Sequence, residues 1–93
     1  LKLKVKKAVN FISDFEVAVA QEAKRRGYDG AVCGHIHHAE IRDVQGILYC
    51  NDGDWVESRT ALVEHMDGRL EIIHWGAGEA VTVREMQAAE ALA

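Results

Sequence analysis

A helical pattern of apolar residues occupies the first third of the chain. Between Phe11 and Ala23, apolar side chains recur at intervals of four, three, one and four residues, which places them on one face of an α-helix. Asn10 is a suitable amino-terminal cap, and Gly27 supplies the left-handed residue that commonly ends a helix. The pattern therefore predicts an amphipathic helix over residues 8–27, with one face docked on a sheet.

Charged residues flank this apolar face near both ends of the predicted helix. Asp14 and Glu16 fall early, where the positive end of a helix favours acidic side chains, and basic residues follow at 24–26. Before the helix, residues 1–7 carry four lysines interspersed with apolar residues. We interpret this segment as a solvated basic stretch or a helical lead-in, with contact to anionic headgroups or phosphate as the alternative role.

After Gly27 the pattern changes to that of β-strands. Short apolar or alternating runs occur at residues 31–33, 40–44, 47–50, 60–65 and 70–75. Turn signals, Gln45-Gly46 and Asp67-Gly68, separate two pairs of these runs, and Asp-Gly favours a hairpin with a primed turn. The alanine-rich residues 79–93 predict a helix or a partly ordered end.

The combined pattern predicts an α+β chain, with one amphipathic helix on a mostly antiparallel sheet. Several strand runs are apolar on both faces, which is typical of a sheet that is covered on both sides. One helix covers one face, so we expect the other to pack against a further segment of polypeptide or a second copy. A start at Leu1 rather than methionine favours a carboxy-terminal piece of a longer protein, with residues 1–93 belonging to a single domain.

Composition narrows the class of protein. A net charge of −4, with 48% hydrophobic and 28% charged residues, is typical of a globular domain and argues against a nucleic-acid binder. Two cysteines cannot form a disulfide framework, so a reducing compartment is expected. No apolar run approaches the ~20 residues that cross a bilayer. We expect core positions for Cys33 and Cys50 and surface positions for His65 and His74.

The densest chemical signal is the sequence Gly-His-Ile-His-His at residues 34–38, directly after a predicted strand. Imidazole is the commonest protein ligand of transition metals, and on an extended backbone His35 and His37 point one way while His38 points the other. Gly34 leaves room for a ligand or a second backbone to approach. Two histidines do not complete a coordination sphere, so the pair alone leaves open both a metal site and an ordinary polar strand end.

A second polar loop, Asn-Asp-Gly-Asp-Trp at residues 51–55, also follows a buried run. Asn and Asp side chains commonly bond their own backbone in tight turns, and we expect such a turn here. Loops that follow two buried strands can also meet at one edge of a sheet. Asn51, Asp52 and Asp54 are therefore candidates for lining a site together with the histidines.

The two loops together resemble one protein family. Residues 32–38 resemble the final Gly-His-x-His block of the calcineurin-like metallophosphoesterases. The segment Tyr-Cys-Asn-Asp-Gly-Asp-Trp-Val-Glu-Ser at residues 49–58, followed by Thr-Ala-Leu-Val-Glu at 60–64, resembles the branch that contains the UDP-2,3-diacylglucosamine pyrophosphatases. The resemblance extends from about Asn10 to about Trp75. It implies that the chain is the carboxy-terminal part of a four-layer αββα sandwich.

The resemblance also implies a set of site residues, since two divalent metals share a site at the edge of that sandwich. His35 would bind one metal and His37 the other, with manganese as the expected metal and iron or zinc as alternatives. Asp54 is a candidate for orienting the metal-bound groups, and the candidates for contacting substrate or lining the site are His38, Asn51, Asp52 and Arg59. The family's Asp-x-His, Gly-Asp-x-x-Asp and Gly-Asn-His blocks do not occur in these 93 residues, so the chain alone is expected to bind metal weakly and to be inactive.

The activity implied for the parent protein is hydrolysis of a phosphoric ester or anhydride, with UDP-2,3-diacylglucosamine or a related phosphoanhydride as substrate. A nucleotide-lipid substrate implies a cytoplasmic enzyme that associates peripherally with the inner membrane. The alternative is a small non-enzymatic domain that binds a metal or associates with itself. Binding of nucleic acid would rest on the lysines of residues 2–7 alone and is disfavoured by the acidic balance.

Overall fold

The computed structural model describes residues 2–87, which form an α+β arrangement of one helix and six strands. Their bounds are α1 Lys2–Arg25, β1 Gly30–Cys33, β2 Glu40–Val44, β3 Ile47–Asn51, β4 Thr60–Glu64, β5 Arg69–Gly76 and β6 Glu79–Gln87. Within residues 2–87, no helix combines the length and the apolar character needed to cross a bilayer.

The helix begins earlier than its amphipathic pattern predicts. It starts at Lys2, so residues 2–7 are a helical lead-in and Asn10 lies inside the helix rather than capping it. Asp14 and Glu16 consequently lie near its middle, and its first turn contains no acidic residue. The predicted end at Gly27 is confirmed: its φ is 79°, its N–H donates to the Lys24 carbonyl, and the next N–H donates to the carbonyl of Ala23. This paired arrangement is a Schellman motif.

The strands form two small sheets instead of the predicted single sheet. The first has the order β1-β3-β2, in which β1 is parallel to β3 and β2 is antiparallel to it. The second has the order β4-β5-β6 and is antiparallel throughout. Because consecutive antiparallel strands need only short turns, most of the chain after β1 is organised as hairpins.

The turns at Gln45-Gly46 and Asp67-Gly68 are of different types, although each was predicted from a polar residue followed by glycine. Gln45 and Gly46 have φ values of 54° and 84°, as a two-residue primed turn requires. At Asp67-Gly68 the hairpin is confirmed but the primed turn is not, because only Gly68 has a positive φ, at 86°. The Gly68 N–H donates to the His65 carbonyl, so a type I turn followed by a left-handed glycine closes this three-residue loop.

The predicted helix or partly ordered end at residues 79–93 is wrong for residues 79–87, which form the longest strand of the described chain. Ala77 and Gly78 have φ values of 54° and 77° and make a two-residue turn that returns the chain onto β5. The β-branched residues 81–83 suit that pairing, whereas the alanines that favour a helix lie mostly beyond it. Residues 88–93 lie outside the described residues.

The first sheet is covered by α1 on one face and, over β2 and β3, by the second sheet on the other. Ala20 and Ala23 of α1 pack on Val44, Ile47 and Tyr49 at one face. At the other face, Ile41 and Cys50 pack on Leu70 and Ile72 of the second sheet, in a cluster that is almost fully buried. Helix, first sheet and second sheet therefore form three layers. The second sheet covers the face that the sequence pattern leaves open over β2 and β3 but not over β1, where Val32 is 69% exposed.

Glu16, a buried acidic residue of α1, forms an ion pair with Arg42 of the first sheet. Glu16 is 3% exposed, and its Oε1 lies 3.3 Å from Nη1 of Arg42 on β2. We expect Arg42→Ala to lower the free energy of unfolding by about 2 kcal/mol, below the 3–5 kcal/mol of a fully buried pair, because the Arg42 side chain is half exposed.

Urea denaturation of Arg42→Ala and of the double variant Glu16→Gln/Arg42→Ala tests this pair. The double variant should be the more stable of the two, because it no longer buries an unpaired charge. Arg25→Ala, which breaks an exposed pair with Glu22, is the control and should change the denaturation midpoint much less. Equal losses in Arg42→Ala and Arg25→Ala would contradict the assignment.

Candidate functional site

Two loops meet at one edge of the first sheet. The histidine loop, residues 34–39, follows β1, and the aspartate loop, residues 52–59, follows β3. Because β1 and β3 are parallel neighbours, their carboxyl ends lie side by side, and the Asp52 N–H donates to the Cys33 carbonyl over 3.0 Å. The predicted convergence of the two polar loops is confirmed.

The side chain of Asn51, the last residue of β3, forms hydrogen bonds to both the histidine loop and the aspartate loop. This side chain is fully buried. Nδ2 donates to the Gly34 carbonyl and to Tyr49 Oη, each over 3.1 Å, and Oδ1 accepts the Gly53 N–H over 3.0 Å. The turn role expected from the sequence is present, but the expectation that Asn51 lines the site or contacts substrate is wrong, because the side chain is closed off from the surface.

The histidine loop is not extended, which corrects the expected directions of its side chains. His35 and His37 have φ values of 76° and 55°, and the Ile36 N–H turns back onto the Gly34 carbonyl. Left-handed backbone costs a non-glycine residue about 1–3 kcal/mol, so the surrounding structure has to enforce it. Alternation along a strand therefore does not describe where the rings of His35, His37 and His38 point.

All three histidine side chains of the loop are exposed. The ring of His35 lies beside that of Phe15 on α1, with 6.2 Å between centroids and a tilt of 40° between planes. This contact gives one side of the His35 ring an apolar neighbour while leaving the imidazole open to solvent. His37 and His38 are open to solvent as well, so the imidazoles are accessible to a ligand.

Gly34 allows a carboxylate to approach the histidine loop. A β-carbon at this position would lie 3.0 Å from Asp52 Oδ1. The group that approaches Gly34 is the Asp52 side chain, rather than the ligand or second backbone expected from the sequence. Asp52 is exposed, so its carboxylate borders the loop at the surface.

Asp54 is held by the backbone of its own loop. Its Oδ2 accepts the N–H groups of Glu57 and Ser58 over 2.7 and 3.1 Å. The Glu57 hydrogen bond chiefly, then those of Ser58, lower the pKa of the Asp54 carboxyl to about 2, and the charge of His37 adds to the effect. Oδ1 is buried and has no hydrogen-bond partner among the described residues. Asp54 is thus ionised at neutral pH and lies within electrostatic reach of His37.

The low pKa of Asp54 predicts a pH dependence. Because the folded-state value is below the ordinary carboxyl value of about 4, Asp54 stabilises the loop above about pH 4, and this contribution is lost as the pH falls through about 2. The ¹³C shift of the Asp54 carboxyl carbon, followed by NMR, should titrate with a midpoint near 2. A midpoint near the ordinary carboxyl value of about 4 would contradict the hydrogen-bonded arrangement.

Arg59 lies at the far end of the aspartate loop. Its φ is 51°, its side chain is exposed, and its carbonyl accepts the Trp75 N–H over 2.9 Å. The backbone of Arg59 is thereby tied to the second sheet, whereas its guanidinium group remains at the surface. Its predicted contact with phosphate stays a prediction.

The other thiols and imidazoles of the chain serve the fold. Cys50 is fully buried, so its expected core position is confirmed, whereas Cys33 is only half-buried beside the cluster that faces α1. Burial raises the pKa of both cysteine thiols, in the case of Cys50 to about 11. His65 and His74 are only partly exposed. His65 Nε2 lies 2.8 Å from Glu71 Oε1, and His74 Nδ1 lies 2.7 Å from the Ser58 carbonyl, so the two are bonded structural residues rather than free surface histidines.

A groove opens beside the aspartate loop. It has a volume of about 360 Å³ and is lined by Asp52, Asp54, Trp55, Val32 and Leu62, among others. The Trp55 side chain is 58% exposed, so its ring is available to a bound molecule. Carboxylates, an aromatic face and aliphatic side chains thus share one wall of the site.

No protein-family model, curated protein or solved structure matches this chain. The chemistry of the site therefore follows from its own donors. The imidazoles of His35 and His37, with the carboxylates of Asp52 and Asp54 alongside, are donor types that suit manganese, iron or zinc. Within residues 2–87, no three His, Cys, Asp or Glu side chains are grouped so as to hold a metal ion. The donors fit a metal in kind, and further ligands are needed to complete its coordination.

Proposed function

We propose that the chain is the carboxy-terminal part of a dinuclear, metal-dependent phosphoesterase or pyrophosphatase of the calcineurin-like metallophosphoesterase type. The observation that supports this most is the meeting of two loops, Gly-His-Ile-His and Asn-Asp-Gly-Asp-Trp, at the carboxyl edge of parallel strands. These are the two segments on which the family resemblance depends. In this proposal the activity belongs to the parent protein, and residues 1–93 alone are inactive.

The layered arrangement is compatible with the proposal. A helix layer and two sheet layers correspond to three layers of an αββα sandwich. The fourth layer would pack on the outer face of β4-β5-β6, and the remaining metal ligands would come from polypeptide beyond these residues. The open edge of β1, where Val32 is 69% exposed, is a place at which such polypeptide could add a strand.

In the proposed site His35 and His37 are the metal ligands that this chain contributes. Bound divalent ions would supply hydroxide at neutral pH and neutralise charge on the phosphoryl oxygens. Asp54, ionised and fixed at Oδ2 by two backbone N–H groups, would orient a group near His37 through its negative charge. Asp52 would border the same space next to Gly34.

The proposed substrate is UDP-2,3-diacylglucosamine or a related nucleotide-linked phosphoanhydride. The groove beside the aspartate loop offers Trp55 as a stacking face for a base or sugar, and the exposed His38 and Arg59 are the candidates for phosphate contact. A parent protein that hydrolyses such a substrate would be cytoplasmic and in peripheral contact with the inner membrane.

One observation favours a second candidate, a small non-enzymatic domain that binds a metal or associates with itself. Among residues 2–87, no strand pairs with the outer edge of β1, and that edge is flanked by an apolar groove whose lining includes Phe15, Val19, Tyr28 and Ala31. A strand edge with apolar surface beside it is suited to pairing with another chain. In this alternative the histidine pair would bind metal without turnover.

Hydrolysis assays on the longest natural protein that contains this segment, and on residues 1–93 alone, distinguish the two candidates. With Mn²⁺ and either bis-p-nitrophenyl phosphate or a UDP-linked pyrophosphate, the longer protein should turn over substrate and lose the activity in EDTA. Residues 1–93 should show no turnover and sub-stoichiometric binding of Mn²⁺. A stable dimer of residues 1–93 with full metal occupancy, and no turnover by the longer protein, would establish the non-enzymatic alternative.

A further inference from the structure

We infer that Asn51 is a positioning residue, which sets the backbone of the histidine loop and thereby the metal affinity of His35 and His37. The inference rests on the proposed metal role of the two histidines. It concerns a residue that touches neither metal nor substrate, since its side chain is fully buried beneath the loops.

The geometry of the amide connects the two halves of the site. Nδ2 donates to the carbonyl of Gly34, the residue before His35, and Oδ1 accepts the N–H of Gly53, the residue before Asp54. One side chain therefore fixes the Gly34–His35 peptide unit, which precedes a proposed metal ligand, and the Asp52–Gly53 peptide unit, which follows the first carboxylate of the aspartate loop. Nδ2 also lies within hydrogen-bond distance of Tyr49 Oη and, at 3.7 Å, of Cys33 Sγ, so both ends of the amide are used.

Few side chains could replace this amide. Aspartate has the same shape, but as a carboxylate it cannot donate, so its oxygen would face the Gly34 carbonyl in a site without solvent. Serine is neutral but too short to reach both loops. Glutamine is longer by one methylene in a region that is already packed.

The backbone conformation of the histidine loop requires stabilising contacts from outside the loop. His35 and His37 both have left-handed φ values, which the chain does not adopt without enforcement. The Ile36 N–H bond to the Gly34 carbonyl lies within the loop, so it cannot fix the loop relative to β3. The two ends of the loop are anchored by the pairing of β1 and β2 with β3, and the Asp52 N–H bond holds Cys33 just before the loop. Within the loop itself, the Asn51 amide bonds the Gly34 carbonyl and so ties the peptide before His35 to β3.

Zn²⁺ titration calorimetry on the longest protein that contains this segment tests the inference, with Asn51→Asp, Asn51→Ser and the matched control Asn10→Asp. Groups that orient metal ligands typically change metal affinity about 10–100-fold when replaced. We expect both Asn51 variants to weaken Zn²⁺ binding by that factor, and Asn10→Asp, on the exposed side of α1, to leave it unchanged. Titrations are run at temperatures at which circular dichroism shows each variant folded.

A readout that needs no metal separates positioning from stability. Strong intraresidue NOEs between the amide and α protons report left-handed φ, and we expect them at His35 and His37 in the unmodified protein and in Asn10→Asp. We expect them to weaken in Asn51→Ser, which introduces no buried charge and serves if Asn51→Asp does not fold.

The outcomes distinguish this inference from the proposed function. A lower melting temperature with unchanged Zn²⁺ affinity and unchanged NOEs would mean that Asn51 is only structural and would overturn the inference. If His35→Ala and His37→Ala both bind Zn²⁺ as tightly as the unmodified protein, the proposed function fails. The NOEs would then still decide whether Asn51 sets the loop.

Discussion

Gly53→Ala is expected to destabilise the protein by about 2–5 kcal/mol, the sum of the cost of a left-handed alanine and of overpacking. Gly53 has a φ of 78°, and a β-carbon there would overlap Thr60 Oγ1 and lie 3.0 Å from the Ala39 side chain. The Thr60 hydroxyl cannot move aside without loss, because it donates to the Asp52 carbonyl and accepts the Asp54 N–H. Both the aspartate loop and the start of β4 would have to shift.

Gly46→Ala is the matched control for this prediction. Gly46 has a similar φ of 84°, but a β-carbon there would meet nothing within 4 Å. Gly46→Ala should lower the free energy of unfolding by only about 1–2 kcal/mol, the cost of placing alanine in a left-handed backbone conformation. Urea denaturation of the two variants measures the difference, and equal losses would show that the close approach between Gly53 and Thr60 does not exist.

The second large effect is expected at the histidines. In the proposed parent phosphoesterase, His35→Ala and His37→Ala should each lower the metal-dependent rate of phosphodiester hydrolysis about 100-fold or more, since stabilisation by a bound metal is worth several kcal/mol. The same two changes should leave the free energy of unfolding nearly unchanged, because both side chains are exposed. The measurement is kcat/KM at saturating Mn²⁺, with circular dichroism as the check on folding.

His38→Ala is the control for this pair. It removes an imidazole of the same exposed loop that the family resemblance does not assign to a metal. We expect less than about a tenfold loss in rate, as for a rim contact to substrate phosphate. A loss in His38→Ala equal to that in His37→Ala would mean that the loop as a whole, rather than two particular ligands, supports activity.

Local pattern was sufficient for much of the fold. The apolar spacing of Phe11 to Ala23 identified only part of the face that α1 packs on the first sheet. Phe15, Val19 and Ala23 pack there, whereas Phe11 and Ala18 are exposed and the pattern missed the buried Ala20. Gly27 ends the helix as predicted. The amino end was wrong because a helix continues through polar residues until something stops it, and residues 2–9 contain no glycine or proline. A search for the apolar face alone cannot detect that extension.

The number of sheets could not be predicted from the strand runs. Residues such as Ile41, Cys50 and Ile72 are apolar whether they face a helix or a second sheet. Assigning them to two layers depends on long-range pairing, which has no signature in a local window. The strand at residues 79–87 was missed because Ala77, an unusual residue for a left-handed turn position, conceals the hairpin signal.

For the candidate site too, features that depend on local sequence were predicted, and features that depend on three-dimensional packing were not. The two loops were predicted from their glycines, histidines and acids, and their meeting followed from strand ends. The hydrogen bonds by which Asn51 links the two loops were not predicted. They depend on the burial of its side chain beneath both loops rather than on its neighbours in sequence. An Asn at the end of a buried run, directly before Asp-Gly-Asp, was the available signal.

The location of a bound metal would test the proposal most directly. Crystals of the parent protein grown with Mn²⁺ should give anomalous difference peaks at the manganese edge, within about 2.0–2.3 Å of a ring nitrogen of His35 and of one of His37. The remaining ligands should come from polypeptide outside residues 1–93. Manganese bound elsewhere, with both imidazoles free of metal at full occupancy, would contradict the proposed site.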